Sequence, residues 1–200
     1  MVPSPNQPTG NQPPERQTFS LQPFIDGETS VASLSVEGWV ERWQDQLTLE
    51  FQLTSDERCE QQAILWPVQS DTPQRRDGLW QHTCLEWFVA RSGDETYWEY
   101  NLCPNGDWNV YALEGYRQGL TPDPLYSALA MARSGGAGMI TCFRVTAPLP
   151  EALKAAGALE LELAVTAVVE QRSGVLSYWA LDHGSDEADF HRREGFLLRI

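Results

Sequence analysis

The chain has 200 residues, 42% of them hydrophobic, and a formal net charge of −14 with a pI near 4.5. That length fits one domain, or one domain with a tail, and the apolar content can build a real core. The acidic excess argues against nucleic acid, which rewards clustered Lys and Arg, and against an anionic membrane surface.

Residues 1–17 are rich in Pro, Gln and Asn, which reads as a disordered tail before an ordered domain over 18–200. Order is expected to begin near Phe19, where Phe19, Leu21, Phe24 and Ile25 supply apolar anchors. The N-terminus has neither a basic start nor an apolar run, and no stretch approaches the ~20 apolar residues of a membrane span. A cytoplasmic protein is the expectation. Cys59, Cys84, Cys103 and Cys142 are then expected as reduced thiols, in spacings that match no zinc pattern.

Period-two patterning starts at Val31. Residues 31–36 and 38–40 read as a strand followed by a turn. Leu47, Leu49, Phe51 and Leu53 alternate with polar residues and predict a half-buried strand. A short apolar strand is expected over 63–68. Residues 84–90 and 96–103 form a predicted hairpin around Arg91-Ser92-Gly93-Asp94-Glu95. A Pro104-Asn105-Gly106-Asp107 turn then leads into a strand over 108–113. Residues 115–138 read as irregular, and 139–146 as a strand. Pro148 to about Ala156 reads as a short helix ended by Gly157. Strands over 159–167, 176–181 and 196–200 complete the chain. The fold class expected is an all-β antiparallel β-sandwich with one short helix.

The stretch from Arg76 to Gly119 holds four of the eight Trp and four of the six Tyr, interleaved with carboxylates and amides. Aromatic faces with polar neighbours can bury a ring-shaped polar ligand and bond its edge, and they can equally fill a sandwich core. Trp87 belongs to the core, between Leu85 and Val89, and Trp98 goes inward with Leu102. Glu86, Glu99 and Asn101 fall on the other face. Trp80 and Trp108 flank strands, at positions free to meet a ligand, and Tyr116 and Arg117 lie in a loop. The expected ligand-binding set is therefore Trp80, Glu86, Glu99, Asn101, Trp108, Tyr116 and Arg117. Arg117 is expected to reach back to a carboxylate or hydroxyl, or to form an ion pair with Glu86 or Glu99. Trp39, Trp43, Trp66 and Trp179 are assigned to packing.

Glu86 and Glu99 also suit an acid–base pair of the kind used in glycoside hydrolysis. His82 and Cys84 share a strand face, a possible thiolate pair without a visible oxyanion device. His183 and His191 bracket an acidic loop whose spacing matches no metal pattern, so turn capping is the preferred role. Haem would need axial ligands such as Met131, Met139 or a His. No catalytic residue, metal or cofactor is assigned.

The run Arg76-Asp77-Gly78-Leu79-Trp80, with Thr83-Cys84 and Glu86 after it, resembles bacterial DOMON-like proteins. So does Tyr97 to Tyr111, with its Y-W-E-Y-N-L-C-P-N-G-D-W-N-V-Y pattern, followed by Gly115-Tyr116-Arg117-Gln118-Gly119. The late segment from Ser177 to Phe196, with Asp189-Phe190-His191-Arg192-Arg193-Glu194, resembles them too. The group is similar to type 9 carbohydrate-binding modules within the DOMON superfamily. The resemblance covers about residues 19–200 and implies a β-sandwich that binds a sugar or, in some branches, haem. The implied partner is a small saccharide or glycan end, bound without catalysis. The sequence carries no signal for an oligomeric state.

Overall fold

The computed structural model describes residues 15–24, 34–55, 63–135, 140–154 and 160–200. In chain order the strands are β1 (Glu15–Ser20), β2 (Gln22–Pro23), β3 (Leu34–Trp43), β4 (Gln46–Ser55), β5 (Cys84–Arg91), β6 (Tyr97–Leu102), β7 (Trp108–Leu113), β8 (Thr121–Pro122), β9 (Met131–Gly135), β10 (Ile140–Pro148), β11 (Leu161–Glu170), β12 (Leu176–Ala180) and β13 (Leu198–Arg199). One short helix, α1 (Glu151–Lys154), and two single 3-10 turns, Leu79–Gln81 and Arg193–Gly195, complete the described elements. Among the described residues no helix is long and apolar enough to cross a membrane.

The strands form two antiparallel sheets. One runs β1-β3-β4-β10-β9, and the other β2-β12-β11-β5-β6-β7-β8 with β13 alongside β11. Alternation decides which faces meet. Leu47, Leu49, Phe51 and Leu53 of β4 pack in one core with Leu85, Trp87 and Val89 of β5 and Leu163, Val165 and Ala167 of β11. The chain is thus the expected β-sandwich. Trp87 stacks on Tyr100, its partner across β5 and β6, with centroids 4.3 Å apart. Trp98 is inward and donates its indole N–H to Asp123 Oδ2 at 3.0 Å.

Several local expectations change. Residues 15–17, assigned to the tail, pair with β3 opposite Arg42, Glu41 and Val40. An edge strand needs backbone partners more than apolar side chains, and Arg16 adds an ion pair with Glu41 and a stack over Trp39 at 3.9 Å. Residues 1–14 lie outside the described set. β3 runs unbroken through Gly38, where a Cβ would stand 1.9 Å from the Glu50 carbonyl oxygen, and the turn falls at Gln44, φ 52°. The strand expected at 63–68 reduces to a bridge between Ile64 and Gln171; Pro67 lacks the N–H a ladder needs. The stretch read as irregular contains β8 and β9. β9 is a mostly exposed edge strand without alternating apolar residues to announce it. Of the expected helix, Glu151–Lys154 is helical, and residues 155–159 fall outside the described set.

Candidate functional site

The outer face of the second sheet carries the candidate site. Opposite the inner residues of β5 and β6 stand Cys84, Glu86, Phe88, Tyr97, Glu99 and Asn101, all buried. An antiparallel sheet commonly leaves this face to water. Here residues 182–197 fold back over it. Phe196 packs on Tyr97 and Phe88 with centroids 5.7 and 5.8 Å apart, and His191 meets Phe88 at 5.3 Å. Between this covering segment and the sheet lies a cavity of about 360 Å³, within the usual size of small-ligand pockets, roughly 300–1,000 Å³. Its walls include Trp80, Phe88, Tyr178 and Phe190 with Glu86, Glu99, Arg117 and His191.

The two glutamates sit diagonally across β5 and β6, since Glu86 is opposite Asn101 and Phe88 is opposite Glu99. Each carboxyl has one anchored oxygen. Thr166 donates to Glu86 Oε2 at 3.0 Å, and Asn101 donates to Glu99 Oε1 at 2.7 Å. Glu86 Oε1 and Glu99 Oε2 have no hydrogen-bond partner. Burial, with the Glu99 carboxylate beside it, pushes the Glu86 pKa up to about 8. Burial pushes Glu99 up to about 7, against the Asn101 bond and the Arg117 charge. Nearby, burial and the Arg117 charge push His191 down to about 4. Its Nδ1 lies 2.8 Å from Tyr97 Oη, which accepts from the Arg117 backbone N–H at 3.3 Å. His191 Nε2 stands 4.0 Å from Glu99 Oε2.

The rim is built by the same motif residues. Asp77 Oδ1 accepts from Tyr111 at 2.7 Å and from Asn109 Nδ2 at 3.0 Å, tying the Arg76–Trp80 run to β7. Gly78, at φ 73°, then turns the chain into Leu79–Gln81 and sets Trp80 edge-on to Tyr111 at 6.0 Å. On the opposite side Arg117 bonds Asp189 at 2.9 Å, and Tyr116 donates to Asp189 at 2.6 Å. Burial pushes the Asp189 carboxyl up, but these bonds outweigh it and hold it below the ordinary range.

Of the residues expected from sequence, Trp80, Glu86, Glu99 and Arg117 line this one cavity. Asn101 lies fully buried behind Glu99 and orients it. Tyr116 is exposed and acts on the covering segment through Asp189. Trp108 does not project from its strand end. It is buried in the inner core under the Arg75 guanidinium, which lies 4.6 Å from its ring and bonds the Asp123 carbonyl at 2.8 Å. Trp108 stands opposite Leu102 on β6 and shares its strand face with Val110, so alternation turns the indole inward. Arg117 pairs with Asp189 rather than with either glutamate.

His82 is turned to Glu170 at 2.8 Å while Cys84 is fully buried, so the two are not a thiolate pair. His183 contacts the Gln22 carbonyl. Met131 lies on β9 of the other sheet and packs against the inner core; Met139 is outside the described residues. Cys84, Cys103 and Cys142 are free thiols, and Cys59 is outside the described residues. Among the described residues no group of three His, Cys, Asp or Glu is placed to hold a metal ion. The set expected from sequence omits Tyr97, Thr166, Tyr178, Phe190 and His191, of which His191 is read there as a turn cap. For Phe190 and His191 a signal existed in the late D-F-H-R-R-E segment.

No family model matches the chain, and no curated protein matches it in sequence. Among solved structures it is similar to a "putative carbohydrate-binding protein" from Bacteroides uniformis ATCC 8492, with a TM-score of 0.64 at 10% identity. The match covers 90% of this chain and 83% of that one. At that identity the likeness is one of fold.

Proposed function

We propose that this chain is a non-catalytic saccharide-binding sandwich of the DOMON-like kind, similar to type 9 carbohydrate-binding modules. It takes a small sugar or glycan end in the outer-face cavity. One observation carries the reading: two buried carboxyl oxygens, Glu86 Oε1 and Glu99 Oε2, lack partners beside a cavity with aromatic walls. Leaving a buried polar group unsatisfied costs about 1–3 kcal/mol, a cost that ligand hydroxyls would offset. Trp80 and Phe88 offer apolar faces for a sugar ring. The sandwich likeness to the B. uniformis protein supports the same ligand class.

Glycoside cleavage would need one carboxyl ionised while the other stays protonated. That reading is separated by turnover of aryl glycosides that is lost on Glu86→Gln or Glu99→Gln, which a binding module does not show. The test is a glycan array followed by calorimetric titration of the sugars retained. Trp80→Ala and Glu99→Gln should each weaken binding at least tenfold while moving stability by less than about 1.5 kcal/mol. Absence of any retained glycan, or variants that bind as the parent does, would refute sugar binding in this cavity.

A further inference from the structure

We propose that the sugar taken by this cavity carries an ammonium group, so that the ligand class is an amino sugar rather than a neutral one. The inference rests on the saccharide reading above and goes beyond it in charge.

Both glutamates are almost wholly inside the protein, Glu86 2% and Glu99 4% exposed. Each is held through one oxygen by a neutral donor, Thr166 or Asn101, and keeps the other free. The cation on the cavity wall, Arg117, is engaged by Asp189 at 2.9 Å. His191 stands 4.0 Å from Glu99 with its imidazole neutral at neutral pH. Two acids therefore face one cavity with no protein cation bound to either. Sugar hydroxyls can satisfy the hydrogen bonding of such carboxyls, but only a cation also offsets the cost of burying their charge. An ammonium in the cavity favours the ionised form of the carboxyl it meets, and charge-assisted bonds of this kind are about twice as strong as neutral ones.

The remaining wall suits the same group. Trp80, Phe88, Tyr178 and Phe190 line the cavity, and aromatic faces attract a cation in addition to stacking on a sugar ring. Glu86 and Glu99 lie diagonally on one face of two neighbouring strands, so both carboxyls belong to the lining of the same cavity.

The experiment titrates the whole chain with glucosamine, N-acetylglucosamine and glucose at one pH near neutral. Glucosamine should bind at least tenfold more tightly than the other two. The Glu86→Gln, Glu99→Gln double variant should bind glucosamine no better than glucose. That change moves the net charge only from −14 to −12, so attraction to the acidic surface alone would survive it. A melting curve checks that the variant is folded, and the comparison of the three sugars on the parent chain stands without it. Equal binding of glucose and glucosamine, or a preference that persists in the double variant, overturns the ammonium assignment and leaves sugar binding intact. Binding of none of the three, with an empty glycan array, overturns both.

Discussion

Asn101 donates to Glu99 Oε1 at 2.7 Å from two residues further along the same strand, and this bond leaves Glu99 Oε2 as the oxygen without a partner. The Asn101 amide is itself oriented, because its Oδ1 accepts from the Cys84 thiol at 3.7 Å. Asn101→Ala therefore removes the group that aims Glu99 without touching the cavity wall. It should cost about 1–3 kcal/mol in urea denaturation, the penalty for an orphaned buried polar group. It should also weaken ligand binding. A stable variant with unchanged affinity would mean that Glu99 needs no such support.

The pH dependence of stability has a defined sign. Glu86 and Glu99 hold their protons in the folded state up to about 8 and about 7, against an ordinary value of 4.5. The folded state then binds more protons, so the stabilisation is complete below about pH 4.5 and is lost as pH rises through 7 to 8. His191, pushed down to about 4 from 6.5, works the other way, losing stability as pH falls below 6.5. Between pH 6.5 and 8 stability should fall, at a slope approaching about 1.4 kcal/mol per pH unit for each group still protonated. Glu86→Gln should remove its share of that slope in chemical denaturation followed by pH. A slope unchanged by the substitution would show that Glu86 titrates normally.

Two tryptophans that sequence treats alike should separate on stability. Trp108 is 4% exposed beneath Arg75, and Trp80 is 36% exposed at the rim. Trp108→Ala should cost about 3–5 kcal/mol, the range for a large core residue. Trp80→Ala should cost less than about 1.5 kcal/mol. Similar costs for both would place Trp80 in a folding role.

The sandwich and its inner core were legible because period-two runs such as Leu47–Leu53 and Leu161–Ala167 name their own buried face. Glu86 and Glu99 were legible as neighbours for the same reason, since the hairpin register follows from the turn at Ser92-Gly93. Trp108 was not legible. A tryptophan after a turn can belong to the turn or to the strand, and the choice is made by the register of β7 on β6, which sets Trp108 opposite inward Leu102. The covering segment was hidden too. Nothing local in Asp182–Glu194 says which sheet face it will lie on, and that is set by Phe196 packing on Phe88 and Tyr97.

Arg117 and Asp189 hold that covering segment to the rim at 2.9 Å, with Arg117 about half exposed. Pairs this exposed contribute roughly 0.2–1 kcal/mol. Arg117→Ala should therefore leave the midpoint of unfolding nearly unchanged. Amide exchange in 186–192 should nonetheless rise, because a segment tethered by few contacts opens locally before the sandwich does. Exchange that stays at the parent rate would show that Phe190 and Phe196 hold the segment alone.

The carboxyl carbons of Glu86 and Glu99, followed by NMR during sugar titration of selectively labelled protein, test the site most directly. Both resonances should move together, saturating with the same dissociation constant that calorimetry gives. A sugar that binds while both carboxyl signals stay fixed contradicts this cavity as its site.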